Sequence, residues 1–288
     1  MKSLKRRKIH EKIMEVLLVI ATIVVLLPLI IIFAHVIIEG VSALNYEFFT
    51  EELGSPSRAM QGKPTGLIHT MLGTVFVDLF ALLLALPVGI GAGIMLSEYP
   101  DHVLNSPLSI MNDTLNGIPA ILKGLFAFVL IVKPMGTFSG LAGAVALCFV
   151  MIPIIARTTE SALQSISWTI REAGLALGLP RWRVIISTVV PAAKTGMVTG
   201  VLLAFARAAG EAAPLLFTSF GNNYLPSKWT GFMFGPVDTL PQRIYSLAIS
   251  PYEQWHSMGW AAAIILFSFV ILTFIIARLA TRNKMQQQ

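Results

Sequence analysis

Charge is what this 288-residue sequence has least of: Asp, Glu, Lys and Arg make up 12% of it, against roughly 25% in an ordinary soluble domain. A water-soluble globule of this length needs a far more polar shell, so that class is excluded. Disorder goes with it, because 55% of the residues are apolar and disordered chains are poor in such residues. Cysteine is nearly absent. Cys148 stands alone, which rules out an internal disulfide framework and a four-cysteine zinc site. There is no Gly-x-x-x-x-Gly-Lys-[Ser/Thr] phosphate loop, so the chain is not expected to bind ATP or Mg itself. There is no His-Glu-x-x-His, the five histidines are scattered, and no Gly-x-Ser-x-Gly elbow occurs. With no nucleophile paired to a base and no metal-ligand pattern, a non-catalytic chain without a metal is expected.

What the sequence has in abundance is apolar length, with a mean hydropathy of +0.75. Six stretches reach the roughly 20 residues that a membrane-crossing helix needs: 13–38, 69–97, 114–133, 138–157, 191–217 and 259–278. The first is too long and too uniformly apolar for a signal-peptide core and reads as a retained helix. The expected fold is therefore all-α, a polytopic membrane protein with six transmembrane helices. Its parts are a basic N-terminus (1–12), a first span (13–38) and a connecting loop (39–68). A five-helix core (69–279) follows, with connections at 158–190 and 218–258, and then a short tail (280–288).

The net charge of +6 and pI near 9.6 raise the question of nucleic acid. The distribution of the cations answers it. With the N-terminus inside, fourteen Lys and Arg fall on inner segments and five on outer ones (Arg58, Lys63, Lys133, Lys228 and Arg243). That bias predicts a multi-pass protein with both termini cytoplasmic, in contact with lipid and not with nucleic acid. The two long outer loops carry Tyr46, Phe48, Phe49, Trp229, Tyr245, Tyr252 and Trp255. These suit either the headgroup layer or a partner outside the membrane.

Small residues recur where helices must approach closely: Gly196, Gly200, Ala204, Ala208 and Ala212 at four-residue spacing, and Gly89, Gly91 and Gly93 beside Pro87. Plain helix packing is the first reading of these ridges, and a hinge or a translocation wall the second. Four ionisable residues lie well inside spans: Asp78, Lys123, Arg207 and Glu211. Each costs at least about 2.5 kcal/mol in lipid on insertion scales, so each should face the bundle or water. A guanidinium is a fixed cation whose planar fork suits tetrahedral oxyanions. Glu211, one helical turn from Arg207, either holds it as a structural ion pair or accepts a hydrogen bond from a protonated oxyanion such as hydrogen phosphate. Asp78 and Lys123 are expected at a similar depth, as a neutralising pair between neighbouring helices or as part of a solute path. Arg157, at the inner end of the fourth span, reads as an interfacial anchor or as a second cation on that path.

The connection over 158–190 contains Ser167-Trp168-Thr169-Ile170-Arg171-Glu172-Ala173-Gly174-Leu175-Ala176-Leu177-Gly178-Leu179-Pro180. Ser167 or Thr169 can cap a helix, and Gly178 with Pro180 can stop it. The result is a helix of two or three turns, too short to stand alone in water. Glu172-Ala173, Gly178 six residues after Glu172, and Val190-Pro191 together resemble the EAA loop of ABC importer permeases. Gly174, Thr188 and Val190 depart from the usual residues while the spacing holds. Ala206-Arg207-Ala208-Ala209-Gly210-Glu211-Ala212-Ala213-Pro214-Leu215 is similar to a segment of the phosphate-type members. Asn116-Gly117-Ile118-Pro119-Ala120-Ile121-Leu122-Lys123-Gly124-Leu125 and Leu96-Ser97-Glu98-Tyr99 also resemble them, with Lys123 where an apolar residue is usual.

The resemblance spans residues 70–217 and implies a type I importer permease. It would form half of a pathway for inorganic phosphate and pair with a second, different permease chain. It also implies a separate ATPase dimer that binds ATP and Mg, and an extracytoplasmic phosphate-binding protein. Glu172, Ala173 and Gly178 would form the docking surface for the ATPase. Arg207, Glu211, Lys123, Asp78 and Arg157 would line or support the solute path. Sulfate and molybdate permeases share a related Arg-Glu segment and remain the alternative within this class. An ATP-independent anion transporter is the alternative outside it.

Overall fold

The computed structural model describes residues 2–55, 57, 61 and 65–285. Arg58 and Lys63 lie outside the described residues, as does the tail over 286–288. The described residues form helices and loops only. In chain order the helices are α1 (Lys2–Val41), α2 (Tyr46–Thr50), α3 (Ile68–Glu98), α4 (Asn105–Gly117) and α5 (Ala120–Met135). They continue as α6 (Gly140–Gln164), α7 (Trp168–Ala176), α8 (Arg181–Ala209), α9 (Trp229–Phe234), α10 (Leu240–Ala248) and α11 (Glu253–Met285). Five of these are long and apolar enough to cross a membrane, and α4 with α5 makes a sixth as one bent span.

Two spans differ from their expected course. The third is not a straight helix over 114–133, because α4 and α5 meet at 107°. The break falls at Ile118, which is extended (φ −69°, ψ 129°). The ring of Pro119 disfavours a helical conformation at the residue before it, and the chain turns there. The fifth span starts and ends earlier than 191–217. It begins at Arg181, passes through a π-turn at Ile185–Val189 just ahead of Pro191, and stops at Ala209. The wider turn accommodates a residue that has no N–H and whose ring crowds the preceding turn.

The centre of the bundle is α3, α6 and α8. Gly89 lies against Ile155 and Gly93 against Thr159, so α3 and α6 run parallel. Gly196 lies against Ala162 and Gly200 against Thr158, so α8 runs antiparallel to both. These contacts put the glycine ridges to work as helix-packing surfaces: a Cβ on Gly93 would fall 2.5 Å from the Cβ of Thr159. Val77, Ala81, Leu147, Met151, Ala204 and Ala208 fill the space between the helices.

On the outside of this core, α1 packs antiparallel to α11. Phe33 meets Phe267 at 4.6 Å between ring centroids, and His35 meets Trp260 edge-on at 5.0 Å. The start of α1 and the end of α11 therefore lie at one end of the bundle, the terminal end. α7 lies there too, with the last turns of α3 and α6. The opposite, loop end is capped by residues 42–55 and 218–252. Phe48, Leu53, Leu67, Leu240, Leu247 and Met258 form a buried apolar cluster within the cap. Asn45 starts α2 by accepting a hydrogen bond from the Phe48 N–H at 2.8 Å. Glu52 accepts from the Leu225 N–H at 2.8 Å and ties the two loops together.

Candidate functional site

The early end of α8 shapes the site. Gly210 terminates the helix, and Pro214, which has no N–H to donate, follows in the segment beyond it. A 3₁₀ turn at Leu215–Phe217 follows. The register of Gly196 on Ala162 and Gly200 on Thr158 carries Arg207 to the level of the middle of α6. Arg207 thus occupies the last helical turn, where exposed carbonyls favour a cation, and its side chain is exposed. Glu211 lies beyond the helix rather than one turn along it, and is half-buried.

Lys123 comes to the same place from α5. Gly124 lets α5 press onto the segment after α8, for a Cβ there would stand 2.5 Å from Pro214 Cα and from Pro214 O. Lys123 is buried, at 7% exposure, and lies within electrostatic reach of both Arg207 and Glu211. No ion pair joins Arg207 to Glu211 among the described residues, so the alternative of a structural ion pair is not formed. Lys123, Arg207 and Glu211 thus interact electrostatically, and their formal charges sum to one positive. A tetrahedral anion would meet a guanidinium fork, an ammonium and one acceptor there.

Asp78 is not part of this group. It is 2% exposed on α3, its Oδ2 has no hydrogen-bond partner, and no ion pair reaches it among the described residues. The expected pairing with Lys123 is corrected: depth along the helices is similar, but Lys123 belongs to the α5–Pro214 contact and Asp78 is enclosed in the bundle core.

Arg157 is not a free cation. Its guanidinium donates to Asp113 (Nη2 to Oδ1, 2.6 Å, and to Oδ2, 2.7 Å), to Glu160 (2.7 Å) and to the Ser109 hydroxyl (2.9 Å). Two carboxylates against one guanidinium leave a negative surplus that suits an anion poorly. The arrangement clamps α4 to α6, which corrects the expectation that Arg157 lines the path.

The loop over 158–190 forms a second constellation. α7 starts without a side-chain cap from Ser167, whose hydroxyl turns to Thr169 instead (3.2 Å). The helix ends at Ala176, and Gly178 adopts a positive φ of 78°. Glu172 and Ala173 are exposed, as are Trp168, Ile170, Leu175 and Leu177. Gly174, where the resemblance calls for alanine, faces Val184 so closely that a Cβ would sit 2.9 Å from both of its methyls.

The chain matches the family model described as "Binding-protein-dependent transport system inner membrane component" over residues 85–285. The chain belongs to this family. The permease chain is similar to the phosphate transport system permease protein PstA of Haemophilus influenzae, with 38% identity over 279 residues and 96% of each chain covered. It is similar to the PstA of Xylella fastidiosa Temecula1 at 39% over 249 residues, covering 85% of this chain and 84% of the relative. A probable PstA of Methanocaldococcus jannaschii is 32% identical over 277 residues, covering 96% and 95%. Among solved structures, a chain of the inward-facing MetNI methionine ABC transporter has a TM-score of 0.56 at 22% identity, covering 76% of this chain and 94% of that one. A chain of an amino acid ABC transporter with histidines has a TM-score of 0.55 at 14% identity, covering 75% and 93%. At these identities the structures speak to the fold, which is that of the type I importer permeases. The permease is accordingly a multi-pass inner-membrane subunit.

Two buried charge clusters of the permease escape sequence reasoning. One joins Glu98 to Arg171 across 73 residues of chain. The other lies in the loop-end cap, where Asp238 accepts from Arg243 and from the Thr70 hydroxyl (3.3 Å), beside His69 at 3.7 Å. Arg243 also donates to Asn223 Oδ1 at 2.7 Å. Asp238 carried no motif, and Glu98 was legible only as part of Leu96-Ser97-Glu98-Tyr99.

Proposed function

We propose that this permease forms half of the translocation pathway of an ATP-driven importer of inorganic phosphate. The observation that carries the reading is the group at the end of α8. Lys123 lies there within electrostatic reach of Arg207 and of a single carboxylate, Glu211, at mid-depth of the membrane-spanning bundle. Burying charge in a membrane is expensive enough that such a group is a functional site by default. A net positive charge fits an anion in passage, and the relatives named as phosphate permeases supply its class.

The residues divide the work. Arg207 contacts the oxyanion through its fork, and Lys123 adds a second cation. Glu211 accepts a hydrogen bond from hydrogen phosphate, a bond that sulfate cannot make near neutral pH. A second, different permease chain covers the exposed side of Arg207 and completes the pathway. The excess of Lys and Arg at the terminal end supports cytoplasmic termini in the bacterial plasma membrane. The loop-end cap then meets a phosphate-binding protein outside. Inside, an ATPase dimer that binds ATP and Mg docks on the exposed face of α7, with Glu172, Ala173 and Gly178 at the contact. ATP binding supplies the free energy, and displacement of α7 switches the access of the Arg207 site between the two sides.

The test is uptake of labelled phosphate at limiting concentration by cells that depend on this permease, with excess sulfate present. Uptake that ignores sulfate and stops when Glu172→Lys is introduced, with the variant still in the membrane, supports the assignment. Uptake abolished by sulfate would move the solute to the sulfate or molybdate class. Normal uptake by Glu172→Lys would remove the coupling role of the loop.

A further inference from the structure

The short helix α7 has one buried residue, and it is an arginine. Arg171 is 6% exposed, and Glu98, at the end of α3, is 1% exposed. Their contact is two-pronged: Nε to Oε2 at 2.9 Å and Nη2 to Oε1 at 2.5 Å. The same guanidinium donates to the carbonyls of Leu163 (2.9 Å) and Ile166 (2.8 Å), at the end of α6 and just beyond it. Arg181, which opens α8, donates to the backbone carbonyl of Glu98 and stacks over Tyr99 at 4.9 Å. Arginines from both sides of the loop therefore converge on the last turn of α3.

For stability alone, apolar packing would serve as well, because desolvation cancels much of what a buried ion pair gains. A forked pair provides something that apolar contact does not, a fixed direction between two elements. α3 extends that direction across the bundle. At its other end, Gly73 leaves room only for the backbone of Asp238, and the Thr74 hydroxyl accepts the Leu240 N–H at 2.7 Å. One unbroken 31-residue helix thus links the exposed loop helix to the cap over the opposite face.

We infer that the Glu98–Arg171 pair is the strut through which displacement of α7 moves α3 and, with it, the loop-end cap. Glu98 and Arg171 are positioning residues: they touch neither solute nor nucleotide. The inference rests on the reading of α7 as the ATPase contact, and it holds whatever the solute is.

The experiment uses the whole transporter in lipid vesicles, with Cys148→Ser and a reporter cysteine from Leu72→Cys, an exposed position near the loop end of α3. Labelling of that cysteine is followed with and without a non-hydrolysable ATP analogue, in the parent and in Glu98→Gln and Arg171→Lys. In the parent, the analogue is expected to change the labelling rate. In both variants that response is expected to shrink about tenfold, the size of an ordinary coupling between sites, while the ATPase stays bound and hydrolyses ATP. Exchanging the charges, with Glu98→Arg and Arg171→Glu together, is expected to restore part of it. A reporter that ignores the analogue in the parent, or responds equally in parent and variants, overturns the strut. Parallel loss of hydrolysis and response reduces the pair to a structural support and overturns it as well. Phosphate uptake by the parent, read in the same vesicles, judges the functional assignment separately.

Discussion

Replacing Gly124 with alanine tests whether the contact between α5 and the end of α8 builds the solute site. The added Cβ would stand 2.5 Å from Pro214 Cα and Pro214 O and 2.9 Å from its carbonyl carbon. All three are backbone atoms, so no side chain can rotate out of the way. Ordinary contact needs roughly 1 Å more, and only separation of α5 from the segment carrying Glu211 provides it. Forced overpacking of this kind costs about 1–3 kcal/mol. Alanine also gains helix propensity over glycine, by about 1 kcal/mol at most, so the clash outweighs it. The expected outcome is a less stable permease in which Lys123 has drawn away from Arg207 and Glu211, with reduced phosphate uptake. Gly91→Ala is the matched control. No atom lies within 4 Å of its would-be Cβ, so only the propensity gain remains. The assay pairs a detergent melting curve of the assembled transporter with initial uptake rates. A Gly124→Ala protein as stable and active as the Gly91→Ala control would refute the reasoning.

Arg243→Gln leaves Asp238, 3% exposed, without its guanidinium, and should cost about 3–5 kcal/mol, seen as a lowered thermal midpoint. Gly178→Ala puts a side chain at φ 78°, a left-handed conformation that costs about 1–2 kcal/mol; the expected result is weaker retention of the ATPase on purification. Asp78→Asn removes a carboxyl group that has no ion-pair partner among the described residues. It should leave uptake within about twofold of wild type and the melting temperature unchanged or raised.

The apolar runs made the membrane-spanning bundle legible, because a bilayer demands length and composition before anything else. The breaks within the runs were harder to read. Pro119 favours an extended residue before it, yet the flanks on both sides are apolar enough to pass as one span. Arg181-Trp182-Arg183 looks like a surface loop, yet it opens α8, because the π-turn lets the helix run on through Pro191. Intramembrane charges could be picked out by their cost, but not paired by their depth. Asp78 and Lys123 lie at similar depth on faces that do not meet, and only the approach of Gly124 to Pro214 decides where Lys123 goes. Arg171 and Glu98 each lie in a recognisable segment, but 73 residues separate them and no local pattern pairs them. The loop over 158–190 was the most legible part of the candidate machinery, since its short helix and stop glycine are set by neighbouring residues.

The central claim, that Arg207 handles the anion, is tested most directly by ATP-driven phosphate uptake through Arg207→Gln in vesicles that contain the complete transporter. Loss of a charge-assisted hydrogen bond is worth about 1.5–3 kcal/mol, so uptake should fall roughly 10- to 100-fold, with the protein assembled and its ATPase still hydrolysing. Uptake at the wild-type rate would contradict the account.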